Sequence, residues 1–186
     1  MKKKIAFLDR DGTINVEKHY LYKIEDFEYL PGVVNGLKLL QEADFLLVIV
    51  TNQSGIARGY YTKPDYEVFN KWLLADLEAK DVHIAGSYYC PHHPEAVVQE
   101  YRCECDCRKP ATGLFYRAVE NLGKENEIDL DGSITIGDKP RDLSICADTK
   151  VKGFLIGDEE PEYKDAVRVG SLLEAARIAT VSMGGQ

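Results

Sequence analysis

The sequence predicts an α/β fold: a doubly wound, Rossmann-like parallel sheet with helices on both faces. Short, continuous apolar runs alternate with longer amphipathic segments, the pattern of strands buried on both faces and joined by crossover helices. The chemically capable residues stand where those runs stop, which is where such sheets hold their ligands. No repeat, low-complexity tract or Gly/Ser linker interrupts the chain, which predicts one domain over residues 1–186.

Each element has its own signal. Ile5 to Asp9 reads as a buried strand. Gly32 to Ala43 reads as a helix with Val33, Val34, Leu37 and Leu40 on one face, and Phe45 to Asn52 as the second buried strand. Thr62 to Lys80 is a long helix opened by a capping box of Thr62 and Asp65. Its stripe of Phe69, Trp72, Leu73 and Leu77 belongs to the core. Ala85 to Tyr89 is a third strand, Leu114 to Leu122 a helix closed by Gly123, and Ser133 to Asp138 a fourth strand followed by a short helix from Arg141. Lys152 to Ile156, Ala166 to Val169 and the helix Ser171 to Ala179 complete the order.

Composition narrows the function. Lys plus Arg number 23 against 31 Asp plus Glu, a formal net charge of -8. That balance argues against a general nucleic-acid binder. The longest apolar stretch, Phe45 to Val50, is far short of a membrane span. Only Ile5 to Leu8 separate the basic N-terminus from Asp9, too short a run for a signal peptide. The expectation is a cytoplasmic protein with no nucleic-acid or membrane partner. No long apolar face is left over, so a monomer is expected.

Four polar clusters carry chemistry. Asp9-Arg10-Asp11-Gly12-Thr13 follows the first strand. Two carboxylates at i and i+2 leave a strand end on one side, so one can attack while the other manages protons. The alternatives are an Asp-Gly turn or a calcium loop. The latter is disfavoured, because no helix precedes the pair and Gly12 comes too early. Thr51-Asn52-Gln53-Ser54-Gly55 ends the second strand and offers a hydroxyl and amides to a phosphoryl oxygen, or is a polar turn. Lys109 could offset charge on Asp9 and an attacked phosphate, and Arg108 could grip a phosphate or a sugar hydroxyl, unless the two are simply solvated bases. Asp138 ends the fourth strand and could share a magnesium ion with Asp9, while Asp142 either supports that site or caps the next helix.

A fifth cluster suits a different metal. Cys90, His92, His93, Cys103, Cys105 and Cys107 are six soft or borderline ligands in one loop. Zinc takes four in a tetrahedron. Cys146 lies apart, in the helix after Asp138, and reads as a core thiol.

Together, the order and strand-end placement of the four clusters resemble the four motifs of the haloacid dehalogenase (HAD) phosphatase superfamily. The resemblance covers Ile5 to about Ile156. It implies a magnesium-dependent phosphatase of a small phosphorylated metabolite, with Asp9 as nucleophile and Asp11 as general acid and base. Thr51 and Lys109 would steady the phosphoryl group, and magnesium would sit on the Asp9 carboxylate, the Asp11 carbonyl and Asp138. Longer runs sharpen the match: Asp9 to Asn15, Thr51 to Gly59, Tyr89 to Pro94 and Cys105 to Pro110. They resemble the histidinol-phosphatase-like subfamily, and Ser54 to Gly59 favours its heptose-bisphosphate branch over the histidinol-phosphate one. By that resemblance a structural zinc is held by Cys90, His92, Cys105 and Cys107, in a loop at about 90–107 that would pin Arg108 and Lys109. Glu17 and Tyr20 match a sugar-contacting segment, but His19 stands where that segment commonly has Gly.

Many relatives of this kind carry a cap domain. Only 39 residues lie between Asp11 and Thr51, and 55 between Asn52 and Arg108, so no cap is expected. Selection of a phosphorylated sugar then falls to loops 13–25, 54–61 and 91–110. The expected substrate contacts are Glu17, Tyr20, Thr51, Asn52, Gln53, Ser54, Arg108 and Lys109. Arg58 and Lys139 join them as contacts to a distal phosphate or as surface bases.

Overall fold

The computed structural model describes residues 2–181. Six strands form one parallel sheet: β1 Lys4–Leu8, β2 Phe45–Asn52, β3 Ile84–Cys90, β4 Ile134–Gly137, β5 Lys152–Ile156 and β6 Val167–Val169, in the spatial order β3-β2-β1-β4-β5-β6. From β1 the chain winds outward through β2 and β3, then returns to the other side of β1 for β4, β5 and β6. The reversal places a crevice beyond the carboxyl ends of β1 and β4, the switch point at which doubly wound sheets bind ligands.

Alternation along β1 explains the two layers. Ala6 and Leu8 face one side, with α1 (Val33–Glu42), α3 (Lys63–Glu78) and α5 (Leu172–Val181) packed over them through Leu37, Leu40, Phe69, Leu73 and Leu172. Ile5 and Phe7 face the other, against Leu114, Phe115 and Ala118 of α4 (Gly113–Leu122) and against Ile145. Burial on both faces is why these strands read as unbroken apolar runs.

The expected elements form, with differences at their ends. The Thr62 capping box is complete: Thr62 accepts from the Asp65 N–H, and the Asp65 carboxylate accepts from the Thr62 N–H. The segment from Arg141 is a 3-10 helix, Pro140–Ala147, rather than an α-helix. Proline at its first position supplies no N–H and suits a helix start. The polar stretch after β2 closes into one helical turn, α2 (Ser54–Ala57). The chain between β1 and β2 goes to a long loop and α1, and that between β2 and β3 to α2 and α3.

Candidate active site

Four chain segments meet over the switch point, in a cleft of about 470 Å³, a size that suits a small metabolite. All the residues expected to act on phosphate or sugar line it: Asp9, Asp11, Glu17, Tyr20, Thr51, Asn52, Gln53, Ser54, Arg58, Arg108, Lys109, Asp138 and Lys139. His19, Tyr61, Arg141 and Asp142 line it too; sequence reasoning gave Arg141 no role and Tyr61 none beyond its place in the selecting loop 54–61. A larger hollow, about 820 Å³, lies between the far ends of β4 and β5 and residues 162–167, and none of the residues expected to contact substrate lines it.

Lys109 is the buried hub. Its ammonium donates to Asp9 Oδ1 at 2.8 Å and to the Val50 carbonyl at 2.7 Å, and pairs with Asp142 Oδ1 at 2.7 Å. Three protons meet three acceptors. Burial opposes the charge, but Asp142 and Asp9 outweigh it and raise the Lys109 pKa. Its backbone is fixed by Asn52: Asn52 Nδ2 donates to the Lys109 carbonyl, and the Lys109 N–H donates to Asn52 Oδ1, both at 3.0 Å. An amide that pairs in both directions copies a strand ladder, so Asn52 holds Lys109 in place.

Around Lys109, three carboxylates, Asp9, Asp138 and Asp142, meet two lysines, Lys109 and Lys139, the latter 3.4 Å from Asp138. Asp9, Asp138 and Asp142 offer oxygens that lie within 4.8 Å of one another, geometry that could hold a metal ion. Burial and the nearby Asp142 charge push Asp9 from the ordinary 3.8 up to about 7, against the pull of Lys109. Burial, then Asp142, raises Asp138 as well. A site short of positive charge in this way is built for a cation. Both Asp142 oxygens are already engaged, Oδ1 with Lys109 and Oδ2 with the Lys139 N–H at 2.9 Å. Asp142 therefore caps the 3-10 helix and supports Lys109 at once, leaving Asp9 and Asp138 as the freer ligands. Gly12 permits their approach. It sits at φ 83°, and a Cβ there would fall on the Asp138 carboxylate.

Asp11 is held differently. Arg10 Nε donates to its Oδ2 at 3.1 Å, and Arg10 Nη2 reaches Oδ2 at 2.8 Å and Oδ1 at 2.9 Å. Asn15 and Gln53 each donate to it at 3.0 Å. Arg10 is fully buried, lies over the Phe69 ring and donates to the Leu21 carbonyl. The sequence signal for Arg10 was present but unused: between two cleft residues at a strand end, the pleat turns the middle one inward.

The cysteine loop closes on four ligands. Sγ of Cys90, Cys105 and Cys107 lie 3.0 to 3.6 Å apart, and His92 Nδ1 lies 3.3 Å from Cys107 and 3.7 Å from Cys90. All the cysteines are free, and Cys103 is exposed outside this cluster. His93 lies outside it too and faces Arg58, its Nε2 3.2 Å from Nη2. Burial pushes the Cys90 thiol up, and takes Cys107 up to about 11. Three thiols and an imidazole crowded this way could hold a metal ion. The loop leads directly into Arg108, whose Nη1 donates to the His92 carbonyl at 3.3 Å.

Known proteins agree with this geometry. The sequence model of the family described as polynucleotide kinase 3 phosphatase matches residues 4–155. The D-glycero-beta-D-manno-heptose-1,7-bisphosphate 7-phosphatase of Escherichia coli O6:H1 is 46% identical over 145 residues, 78% of this chain and 74% of that protein. The D-glycero-alpha-D-manno-heptose-1,7-bisphosphate 7-phosphatase of Photorhabdus laumondii is 45% identical over 142 residues, 76% of this chain and 75% of that one. The crystal structure of the D,D-heptose 1,7-bisphosphate phosphatase from B. bronchiseptica, complexed with magnesium and phosphate, superposes with a TM-score of 0.79 at 25% identity, over 96% of this chain and 99% of that one. With a parallel HAD-type sheet, an aspartate pair at its switch point and this degree of identity, the chain belongs to the family of D-glycero-manno-heptose-1,7-bisphosphate 7-phosphatases.

Proposed function

We propose that the protein hydrolyses the 7-phosphate of D-glycero-D-manno-heptose 1,7-bisphosphate through a phosphoryl group carried on Asp9. The observation that carries the reading is the meeting of Asp9, Asp11, Thr51, Lys109 and Asp138, from four separate chain segments, in one cleft. Asp9 attacks phosphorus and the sugar 7-oxygen leaves, taking a proton from Asp11. Water then attacks the Asp9 phosphoryl group and gives a proton to the Asp11 carboxylate, and phosphate, free Asp9 and protonated Asp11 result. Lys109 orients Asp9 and offsets charge on the phosphoryl oxygens. The Thr51 hydroxyl adds a donor.

The Asp9 and Asp138 carboxylates, with the Asp11 carbonyl, would hold magnesium, which the B. bronchiseptica relative binds together with phosphate. Bound there it supplies positive charge to the phosphoryl oxygens. The cysteine cluster fits zinc in its donor set, three thiols and an imidazole: ligands at Zn–S lengths of a tetrahedron stand about 3.8 Å apart, and Cys90, Cys105, Cys107 and His92 stand somewhat closer, at 3.0 to 3.7 Å. With all four positions filled by protein, this zinc is structural, and its role is to fix Arg108 and Lys109. Reduced thiols at that site fit a cytoplasmic enzyme. Glu17, Tyr20, Ser54, Arg58, Arg108 and Lys139 face the sugar and its second phosphate, and Arg141 joins them.

Side-by-side kinetics test the reading. The α and β anomers of heptose 1,7-bisphosphate and histidinol phosphate are compared at equal concentration, with phosphorus NMR to follow which phosphate leaves. The expected result is loss of the 7-phosphate alone, and faster turnover of a heptose bisphosphate than of histidinol phosphate. A preference for histidinol phosphate, or release of the 1-phosphate, overturns it.

A further inference from the structure

Gln53 lines the cleft, yet only 2% of its surface is exposed. Its amide makes three bonds. Nε2 donates to Asp11 Oδ2 at 3.0 Å and to Thr51 Oγ1 at 2.9 Å, and Oε1 accepts from the Tyr61 hydroxyl at 2.6 Å. A carboxamide nitrogen has two N–H groups, and both are taken. Gln53 therefore has no donor left for a phosphoryl oxygen, in contrast to the substrate contact expected from sequence.

The amide can face only one way. Turned over, its carbonyl oxygen would meet the Asp11 carboxylate, acceptor against acceptor. Arg10 grips that carboxylate with two nitrogens, so it remains the partner that needs donors. Tyr61 completes the lock. With the Gln53 carbonyl before it, its buried hydroxyl must donate, and turning the amide would cost that bond too. The Tyr61 ring is 5% exposed and stacks on Tyr22 at 5.0 Å between centroids. It lies so close over α2 that a Cβ on Gly55 would fall within the ring.

The consequence reaches Thr51. Its Oγ1 already accepts from Gln53, and among the described residues no protein acceptor takes its proton. The hydroxyl is left as a donor at the cleft wall, the polarity a phosphoryl oxygen requires.

We propose that Gln53, locked by Tyr61, is a positioning residue that sets two catalytic groups at once: it turns the Thr51 hydroxyl into a donor toward the phosphoryl group, and it holds the Asp11 carboxylate in place. This rests on the reading that Thr51 and Asp11 act on that group.

The test uses the magnesium-loaded full-length protein and heptose 1,7-bisphosphate, with inorganic phosphate as competitive inhibitor. Gln53→Glu keeps the shape but offers acceptors only, so Thr51 must donate to it and Asp11 is repelled. Its kcat is expected to fall on the order of 100-fold, and phosphate is expected to inhibit at least about tenfold more weakly. Gln53→Met removes all three bonds and is expected to lose roughly 10- to 100-fold in kcat. Tyr61→Phe removes one hydroxyl and is expected to lose about fivefold in the parent and nothing further beside Gln53→Met, because it acts through Gln53. A fold-preserving loss elsewhere would leave phosphate inhibition unchanged. Parent kcat and phosphate inhibition in Gln53→Met, or an equal loss from Tyr61→Phe in both backgrounds, overturns the proposal. If a Gln53 variant fails to fold, Tyr61→Phe alone decides: unaltered kcat and phosphate inhibition overturn the proposal. Asp11→Asn in the same assay separates the two levels. If it loses turnover while the Gln53 variants do not, only the positioning role fails; if it turns over at the parent rate, the phosphatase reading fails with it.

Discussion

Asp9 shows how one buried side chain ties stability to catalysis. In the metal-free protein it faces Asp142 and Asp138 with one lysine between them. Its folded pKa, about 7, lies above the ordinary 3.8. The folded state therefore holds its proton more tightly, and the folded apoprotein loses stability as pH rises from about 4 to about 7. Asparagine does not titrate. Asp9→Asn is expected to match the parent below that window and to exceed it above pH 7 without metal, by up to about 4 kcal/mol. Magnesium should narrow or reverse the gap, because the parent carboxylate then has its cation. Thermal melts at pH 4 and pH 8, with and without magnesium, check both halves. A parent more stable than the variant at pH 8 without metal contradicts this electrostatic account. His19 marks another residue-scale tension. It stands at φ 51° where the resembling segment has Gly, a left-handed conformation that costs a side chain. His19→Gly is expected to stabilise the protein by a few tenths to about 1 kcal/mol, read by denaturant midpoint at constant m. A lower midpoint counts against strain at that position.

Elements carry these residues to one place. The apolar runs identify strands because burial on both faces demands them, and the clusters at their ends were legible for the same reason. Lys109 was legible as a charge but not as a buried hub. Nothing in Arg108-Lys109-Pro110 announces that Asn52, 57 positions away, clamps its backbone. The Gln53–Tyr61 bond was equally silent, since only the return of the chain after α2 brings the ring over Gly55. Asp142 both caps Pro140–Ala147 and partners Lys109, a tertiary demand that local propensity does not encode. The metal loop is testable at this scale. Cys105→Ser is expected to lose about one zinc per chain and on the order of tenfold or more in kcat, because Arg108 and Lys109 lose their anchor. Cys103→Ser, outside the cluster, should leave zinc content and kcat unaltered. Normal turnover by a zinc-free Cys105→Ser protein would detach the loop from catalysis.

On the scale of the whole molecule, charge is divided. The chain carries a net -8, while Arg58, Arg108, Lys139 and Arg141 ring the cleft. Burial, then Arg141 and Arg58, lowers the Arg108 pKa against the pull of Cys90 and Cys105, so these cations feel one another. In the proposed reading, a bisphosphate would meet that ring with its second phosphate. Arg141→Ala is expected to raise KM for the bisphosphate by roughly five- to tenfold at unaltered kcat, and to matter less for a monophosphate. Equal effects on both substrates would remove Arg141 from the distal subsite. Among the described residues no helix is long and apolar enough to cross a membrane. The family was legible because the motifs lie in order along the chain. The choice of sugar was not, because loops from three segments compose it.

Asp9 is the proposed carrier of the phosphoryl group, and the sequence allows a direct look at it. Trypsin cuts after Lys4 and Arg10, releasing Ile5 to Arg10, a peptide with Asp9 as its only side-chain carboxylate. The protein is mixed with heptose 1,7-bisphosphate and magnesium, acid-quenched during turnover and reduced with borohydride, which converts an acyl phosphate to an alcohol. Mass spectrometry should find Asp9 converted to homoserine in that peptide, and unconverted when substrate is omitted. Conversion of Asp11 in the neighbouring peptide, or rapid turnover with Asp9 never converted, would contradict it.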